Sequence, residues 1–103
     1  MTCSRNDVVL LPIPFTDLTS RKVRPAIVVG RKGAGPFVIP VSSVLSNTDI
    51  LLQEWQAAGL NVPSGVKAQL ATVEERLVVK IIGSLSSADR HSIDERLRNW
   101  LQL

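Results

Sequence analysis

The segment 22–30 constrains the fold of this chain more than any other stretch. It places Arg24 and Pro25 directly before a short apolar run at residues 26–29. Proline has no N–H to donate to a sheet, so Pro25 is expected among the first residues of a strand or on a sheet edge. β-Branched residues favour a buried, pleated surface, and Gly30 closes the run. We therefore predict a buried strand that holds the Arg24 guanidinium beside a cleft.

The composition indicates one globular domain that covers residues 1–103. Of the 103 residues, 45% are hydrophobic and 20% are charged, which is typical of a folded domain. No apolar run approaches the roughly 20 residues of a membrane helix. The first seven residues lack the apolar core of a signal peptide. We therefore expect a cytoplasmic protein without a membrane partner.

The sequence offers no recognisable metal ligands. Cys3 is the only cysteine and His91 the only histidine, and neither belongs to a metal-ligand motif such as CxxC. We therefore expect no metal and no cofactor. The net charge of +3 mildly favours a polyanionic partner.

Short apolar runs predict a series of strands. They cover residues 7–11, 22–30, 37–41, 49–55, 66–73 and 77–82. The polar segment 16–22 is interpreted as a loop, and the turn-rich segment 31–36 as a hairpin connection. In the strand predicted over 66–73, Lys67 and Gln69 would share one face.

The last part of the chain predicts a helix. Ser86 or Ser87 can cap it, and Asp89 would lie in its first turn. One apolar stripe at helical spacing is formed by Ile93, Leu97, Trp100 and Leu101. Many short strands followed by one helix favour a mainly β (α+β) fold, a small and strongly bent antiparallel barrel capped by that helix.

Several motifs, taken in order, resemble the MazF/PemK-like toxins of type II toxin–antitoxin systems. They lie at residues 6–17 (NDVVLLPIPFTD), 22–29 (KVRPAIVV), 39–43 (IPVSS), 66–69 (VKAQ) and 82–86 (IGSLS). The resemblance implies an SH3-like barrel of the CcdB/MazF type and a homodimer with a groove for RNA. It also implies a metal-independent endoribonuclease that selects its cleavage sequence in single-stranded RNA, and a cognate antitoxin that inactivates it.

The resemblance assigns catalysis to Arg24 and Ser42. The family's catalytic arginine before a proline corresponds to Arg24, and its threonine after the third strand corresponds to Ser42. An arginine fork would pair with the non-bridging oxygens of the scissile phosphate, and Ser42 would donate a hydrogen bond to the same phosphate. Further contacts to RNA are expected from Arg21, Lys22, Ser43, Lys67 and Gln69.

Three departures from the family's pattern leave the general base unassigned. A glycine that usually precedes the opening aspartate is Asn6 here, a residue that tolerates a left-handed φ. The loop 18–22 lacks the Gly, Glu, Gln or His that relatives often carry. Ala68 and Val66 occupy the places of an aspartate and an arginine that act in PemK-type members.

Alternatives remain open for the residues and for the function. Arg24 could form a structural ion pair with Asp7 or Asp17, and Ser42 and Ser43 could be turn residues that hydrogen-bond the backbone. Lys67 and Gln69 could simply line a solvated face. The protein could also be a non-catalytic, degenerate toxin that binds antitoxin, or a gyrase poison like CcdB.

Overall fold

Strands and one C-terminal helix make up the fold in the computed structural model, which describes residues 2–12 and 22–103. Within these residues the strands are β1 (Asp7–Pro12), β2 (Val23–Lys32), β3 (Gly35–Ser42), β4 (Ile50–Leu51), β5 (Gly65–Val66), β6 (Ala71–Thr72) and β7 (Lys80–Ser84). The helix, α1, is Ser87–Leu101, and two 3-10 turns are Leu45–Asn47 and Glu75–Leu77. Most of the loop predicted over 16–22, including Arg21, lies outside the described residues.

The strands form an antiparallel sheet in the order β4-β5-β3-β2-β1-β7, with β6 also paired to β3. The first half of β3 pairs with β6, and its end pairs with β5. One strand with two successive partners on the same side requires the sheet to bend along β3. The prediction of a mainly β, small barrel-like fold with a C-terminal helix is therefore confirmed.

The strand predicted at the Arg24–Pro25 pair is confirmed as β2. Pro25 lies near the start of the strand, opposite Leu10 of β1. In the apolar run that follows it, residues 26–28 are fully buried and Val29 is partly buried. The strand continues past Gly30 to Lys32, which pairs with Gly35. The hairpin connection is therefore much shorter than the predicted segment 31–36.

Both faces of the central strands are covered, which explains why these strands are apolar without interruption. Val8 and Ile27 belong to a core cluster beneath α1, together with Ile93. Val9 and Val28, their neighbours in sequence, belong to a second cluster on the opposite face. Successive residues of a strand point to opposite faces, so alternation with polar residues is not expected here.

The strand predicted over 49–55 is wrong beyond Leu51. Only Ile50–Leu51 pairs as β4. The backbone N–H groups of Gln53 and Glu54 donate to the carboxylate of Asp89 at 2.9 Å each. Because these N–H groups are bound to a side chain of α1, the chain leaves the sheet at this point.

The predicted strands over 66–73 and 77–82 are also corrected. The first is divided into β5 and β6, because the Lys67 N–H donates to the Pro40 carbonyl and the Gln69 N–H turns back onto the Lys67 carbonyl. The second begins only at Lys80, since the 3-10 turn Glu75–Leu77 occupies the start of the predicted range.

The helix begins where the sequence predicts. Ser86 is the N-cap, and its Oγ accepts a hydrogen bond from the Asp89 N–H at 3.3 Å. Ile93 is buried, and Leu97 and Trp100 pack against the same core cluster. The last residue of the predicted stripe, Leu101, is half-exposed at the end of the helix, so the stripe ends at Trp100.

A hydrogen-bonded network joins the N-terminal segment to the β2–β3 hairpin and to the 3-10 turn at 75–77. Arg31 donates to the two carboxylate oxygens of Glu75 at 2.8 and 3.0 Å and to the Cys3 carbonyl at 2.7 Å. The Cys3 N–H donates to the same carboxylate at 2.9 Å. The hydrogen bonds from Arg31 and then from the Cys3 N–H lower the pKa of Glu75 to about 2.

Asp89→Ala should destabilise the protein by about 2–4 kcal/mol, because it leaves two backbone N–H groups of the 53–54 segment without their acceptor. The measurement is the midpoint of denaturant unfolding, with an unchanged m-value, which is the slope of unfolding free energy against denaturant concentration. Asp94→Ala is the matched control on the same helix: its ion pair with Arg5 is exposed and is worth no more than about 1 kcal/mol. Equal destabilisation by the two variants would contradict the role of Asp89.

The Glu75 network should make stability depend on acid pH. Because the pKa of Glu75 is lowered in the folded protein, its contribution is fully present above about pH 4.5 and is lost as the pH falls toward 2. Glu75→Gln should therefore flatten the decline of unfolding free energy in that range. Glu74→Gln, at the neighbouring exposed carboxylate, should keep the wild-type decline. An unchanged decline in Glu75→Gln would show that the network is not linked to folding.

Candidate functional site

A cleft of about 510 Å³ opens between the start of β2, the end of β3 and the chain on either side of β4 and β5. Its floor is apolar and consists of Leu10, Pro25, Pro40, Val41 and Ile82. One wall is formed by residues 42–44 together with Asn47. The other wall is formed by residues 59–62 and Ser64, and Lys67 and Gln69 lie beyond β5.

Five of the seven residues predicted for the site line this cleft. They are Arg24, Ser42, Ser43, Lys67 and Gln69. The fold brings them together from three separate segments of the chain. Lys22 is exposed just before β2 but does not line the cleft, and Arg21 lies outside the described residues.

Arg24 is held at the second position of β2, opposite Leu11 of β1, with its side chain exposed. The structural ion pair with Asp7 does not form: in the described part of the chain, the ion pairs involve other basic residues. The Asp7 carboxylate accepts a hydrogen bond from the Ser4 N–H instead. Asp17, the other candidate partner, lies outside the described residues.

Ser42 ends β3, and its Oγ accepts a hydrogen bond from the Val44 N–H at 3.0 Å. The backbone contact considered for this serine therefore does form. It uses a lone pair of the hydroxyl and leaves the O–H proton available to a ligand. Ser43 follows with its side chain exposed.

Lys67 and Gln69 reach the cleft from a tight turn rather than from the single strand that the sequence predicts. The Lys67 N–H donates to the Pro40 carbonyl at 3.0 Å, which ties the start of this turn to β3. The Ala68 N–H donates to the Asp49 carboxylate at 2.8 Å. Val66 is fully buried in the core, and Ala68 is exposed with no functional group on its side chain.

The cleft has a positive character. Among the described residues that line it, Arg24 and Lys67 are cations, and there is no carboxylate and no imidazole. His91 lies on α1, largely exposed and beside Glu95, as expected for a solvated helix residue. A cleft whose charged lining residues, among those described, are all cations attracts anionic ligands.

Asn47 and Asn61 also line the cleft, and the sequence predicts neither of them as a site residue. Asn47 ends the 3-10 turn after β3, and Asn61 precedes Pro63 in the second wall. Asparagine is common in turns for purely structural reasons, so its presence in such segments carries no functional signal in the sequence.

In residues 2–12 and 22–103, no group of three or more His, Cys, Asp or Glu side chains is arranged to hold a metal ion. Over the same residues, no helix combines the length and apolar character needed to cross a membrane.

Comparison with known proteins identifies the family. A search of curated proteins gave no significant match. Residues 4–101 match the family of PemK-like, MazF-like toxins of type II toxin–antitoxin systems. The matched range contains all the described residues of the cleft. The chain therefore belongs to the PemK-like, MazF-like toxin family of type II toxin–antitoxin systems.

Proposed function

We propose that this protein is a toxin that cuts single-stranded RNA, and that the cleft is its active site. Toxins of this family are typically RNA endoribonucleases, which supports the reaction class. The observation that carries the proposal is the convergence of Arg24, the 42–43 serines and the 67–69 turn on one cationic cleft. Such a cleft suits the phosphate backbone of a nucleic acid.

The reaction is attack of a ribose 2′-hydroxyl on the adjacent phosphorus. The bond from the 2′ oxygen to phosphorus forms, and the bond from phosphorus to the 5′ oxygen breaks. A base takes up the 2′ proton and an acid delivers one proton to the leaving 5′ oxygen, so the step balances, and neither role is assigned to a described residue of the cleft. The product carries a 2′,3′-cyclic phosphate and no metal is required. DNA lacks the 2′-hydroxyl and could be bound but not cut by this route.

Arg24 stabilises the charge that builds up on phosphorus in this reaction. Its planar fork matches two non-bridging phosphate oxygens, and its position on β2 fixes its main chain before the substrate binds. Preorganised charge of this kind is often the largest catalytic contribution. Ser42 donates its free O–H to the same phosphate, because its Oγ is oriented by the Val44 N–H.

Ser43, Lys67 and Gln69 bind the RNA strand along the cleft. Lys67 supplies a point charge for a neighbouring phosphate, and the two neutral side chains supply hydrogen bonds. Lys22 and Arg21, which precede β2, extend the cationic path beyond the cleft in this proposal. The proposed cleavage therefore requires a single strand of RNA that can lie along the cleft and along this cationic path.

Regulation in this proposal comes from a cognate antitoxin that covers the cleft. An acidic segment suits the role, because Arg24 and Lys67 are the charged side chains among the described lining residues. We further propose that the chain is a single domain, acts as a homodimer and works in the cytoplasm, where its RNA substrate is located.

A binding protein without catalytic activity is the second candidate function. One specific observation favours it: no carboxylate or imidazole is present among the described lining residues to take up the 2′ proton. A degenerate toxin would still bind antitoxin, and a gyrase poison would trap DNA breaks while leaving RNA intact.

Arg24→Ala should lower the rate of RNA cleavage by about 100-fold or more, because it removes the charge that stabilises the transition state. The assay uses a long single-stranded RNA with EDTA present and identifies cyclic phosphate ends. Arg96→Ala is the matched control, since Arg96 is exposed on α1 and does not line the cleft. Circular dichroism and a denaturant midpoint establish that both variants fold.

A folded Arg24→Ala variant with the wild-type rate would refute the role of Arg24. Intact RNA with folded wild-type protein, across several RNA sequences, would refute the ribonuclease. Trapped DNA breaks in a gyrase assay would then identify the second candidate as a gyrase poison.

Asp49 should act as a positioning residue for the 67–69 turn, because its carboxylate binds the N–H between the two cleft residues of that turn. Asp49→Ala should raise the KM for RNA by about fivefold, which corresponds to the loss of one hydrogen bond. The change in kcat should be smaller. Asp49→Asn keeps an acceptor oxygen and should restore the KM. A rise in the KM of Asp49→Asn as large as that of Asp49→Ala would contradict this role.

A further inference from the structure

Asn61 is a polar residue of the cleft that the proposed reaction does not use. Its side chain is exposed, and among the described residues its amide makes no hydrogen bond. Asparagine in a loop commonly serves one of two structural purposes: it adopts a positive φ, or it hydrogen-bonds the nearby backbone. Asn61 does not have a positive φ, and its amide makes no such bond within the described residues. Neither purpose accounts for it.

The segment that carries Asn61 is fixed on both sides. Before it, Gly59 has a φ of +85° and lies so close to β7 that a Cβ there would be 2.0 Å from the Ile82 carbonyl oxygen. After it, the Ser64 Oγ donates to the Val62 carbonyl at 2.8 Å, and the Ser64 carbonyl accepts from the Leu52 N–H at 3.0 Å. The amide of Asn61 is therefore presented from a preorganised backbone.

The wall from residue 59 to residue 64 carries no charge. The cations of the cleft come from β2 and from the 67–69 turn, on other segments. Phosphate recognition therefore belongs to those segments. The wall offers apolar surface from Leu60 and Val62, together with an amide that makes no hydrogen bond to the described residues. This combination suits the flat face and polar edge of a nucleobase.

We infer that Asn61 reads one base beside the scissile phosphate and thereby sets the sequence at which the RNA is cut. This inference rests on the proposed ribonuclease function. A carboxamide presents a donor and an acceptor side by side, which matches the N6 amino group and N7 of adenine. Bases of single-stranded RNA are unstacked easily, so this edge is accessible to the amide. The expected preference is for adenine at one position next to the cut.

The experiment is digestion of a random-sequence RNA pool, followed by sequencing of the cut ends. Asn61→Ala should still cut, with the preference for adenine at one position reduced about tenfold. Asn61→Leu keeps the branched shape of the side chain and its number of heavy atoms but has no hydrogen-bonding group, and it should show the same reduction. Asn99→Ala is the matched control, because Asn99 is exposed on α1 outside the cleft, and it should keep the wild-type preference.

Three results would overturn the inference, and a fourth would overturn its assignment to adenine. Wild-type preferences at every position in folded Asn61→Ala would show that Asn61 reads no base, while the proposed ribonuclease would stand. A uniform loss of rate at all sites would show that Asn61 binds the backbone. Folded wild-type protein that cuts no RNA would refute both the proposed function and the base reader. If Asn61→Ala loses the preference at a position where the wild type prefers a base other than adenine, the assignment to adenine would be wrong.

Discussion

The buried carboxylate of Asp89 is the interaction on which the shape of the cleft depends. A charge without partners is costly in a protein interior, but both oxygens of Asp89 accept backbone N–H groups. The first turn of α1 also favours a negative charge. Because those N–H groups belong to residues 53 and 54, the chain after β4 leaves the sheet and turns back toward β7. The wall at residues 59–64 exists because of that departure.

Two prolines complete the cleft on its other side. Pro25 of β2 and Pro40 of β3 both line its floor, and Pro40 pairs with Ala26, the residue next to Pro25. Proline cannot donate to a ladder, so the sheet has fewer backbone donors at this point. Proline keeps its carbonyl as an acceptor, and the Pro40 carbonyl accepts the Lys67 N–H. This hydrogen bond directs the chain after β5 into the turn that carries Lys67 and Gln69.

The parts of the fold that local sequence determines could be predicted, and those that distant contacts determine could not. β1, β2 and α1 follow from apolar runs and from a capping serine, all within a few residues. The segment 49–55 has the composition of a strand, and a carboxylate more than 30 residues away ends it after Leu51. The segment at 75–77 likewise turns where Glu75 meets Arg31 and Cys3. Tertiary contacts of this kind override the local propensity of a segment to form a strand.

The cations and the neutral amide of Asn61 lie on different segments of the cleft, and the sequence predicts only the first of these groups. The sequence predicts Arg24 from its place before a buried strand, and a resemblance to known toxins adds the 42–43 serines to the predicted site. Asn61 has no such signal, because only the structure shows that its amide makes no hydrogen bond within the described residues. In the function we propose, the cations hold the phosphates whatever the sequence, and a neutral amide on a fixed wall distinguishes the bases. Affinity should then depend strongly on salt, because it comes from phosphates. The choice of cleavage site should depend on salt only weakly, because a neutral amide on a separate segment provides it.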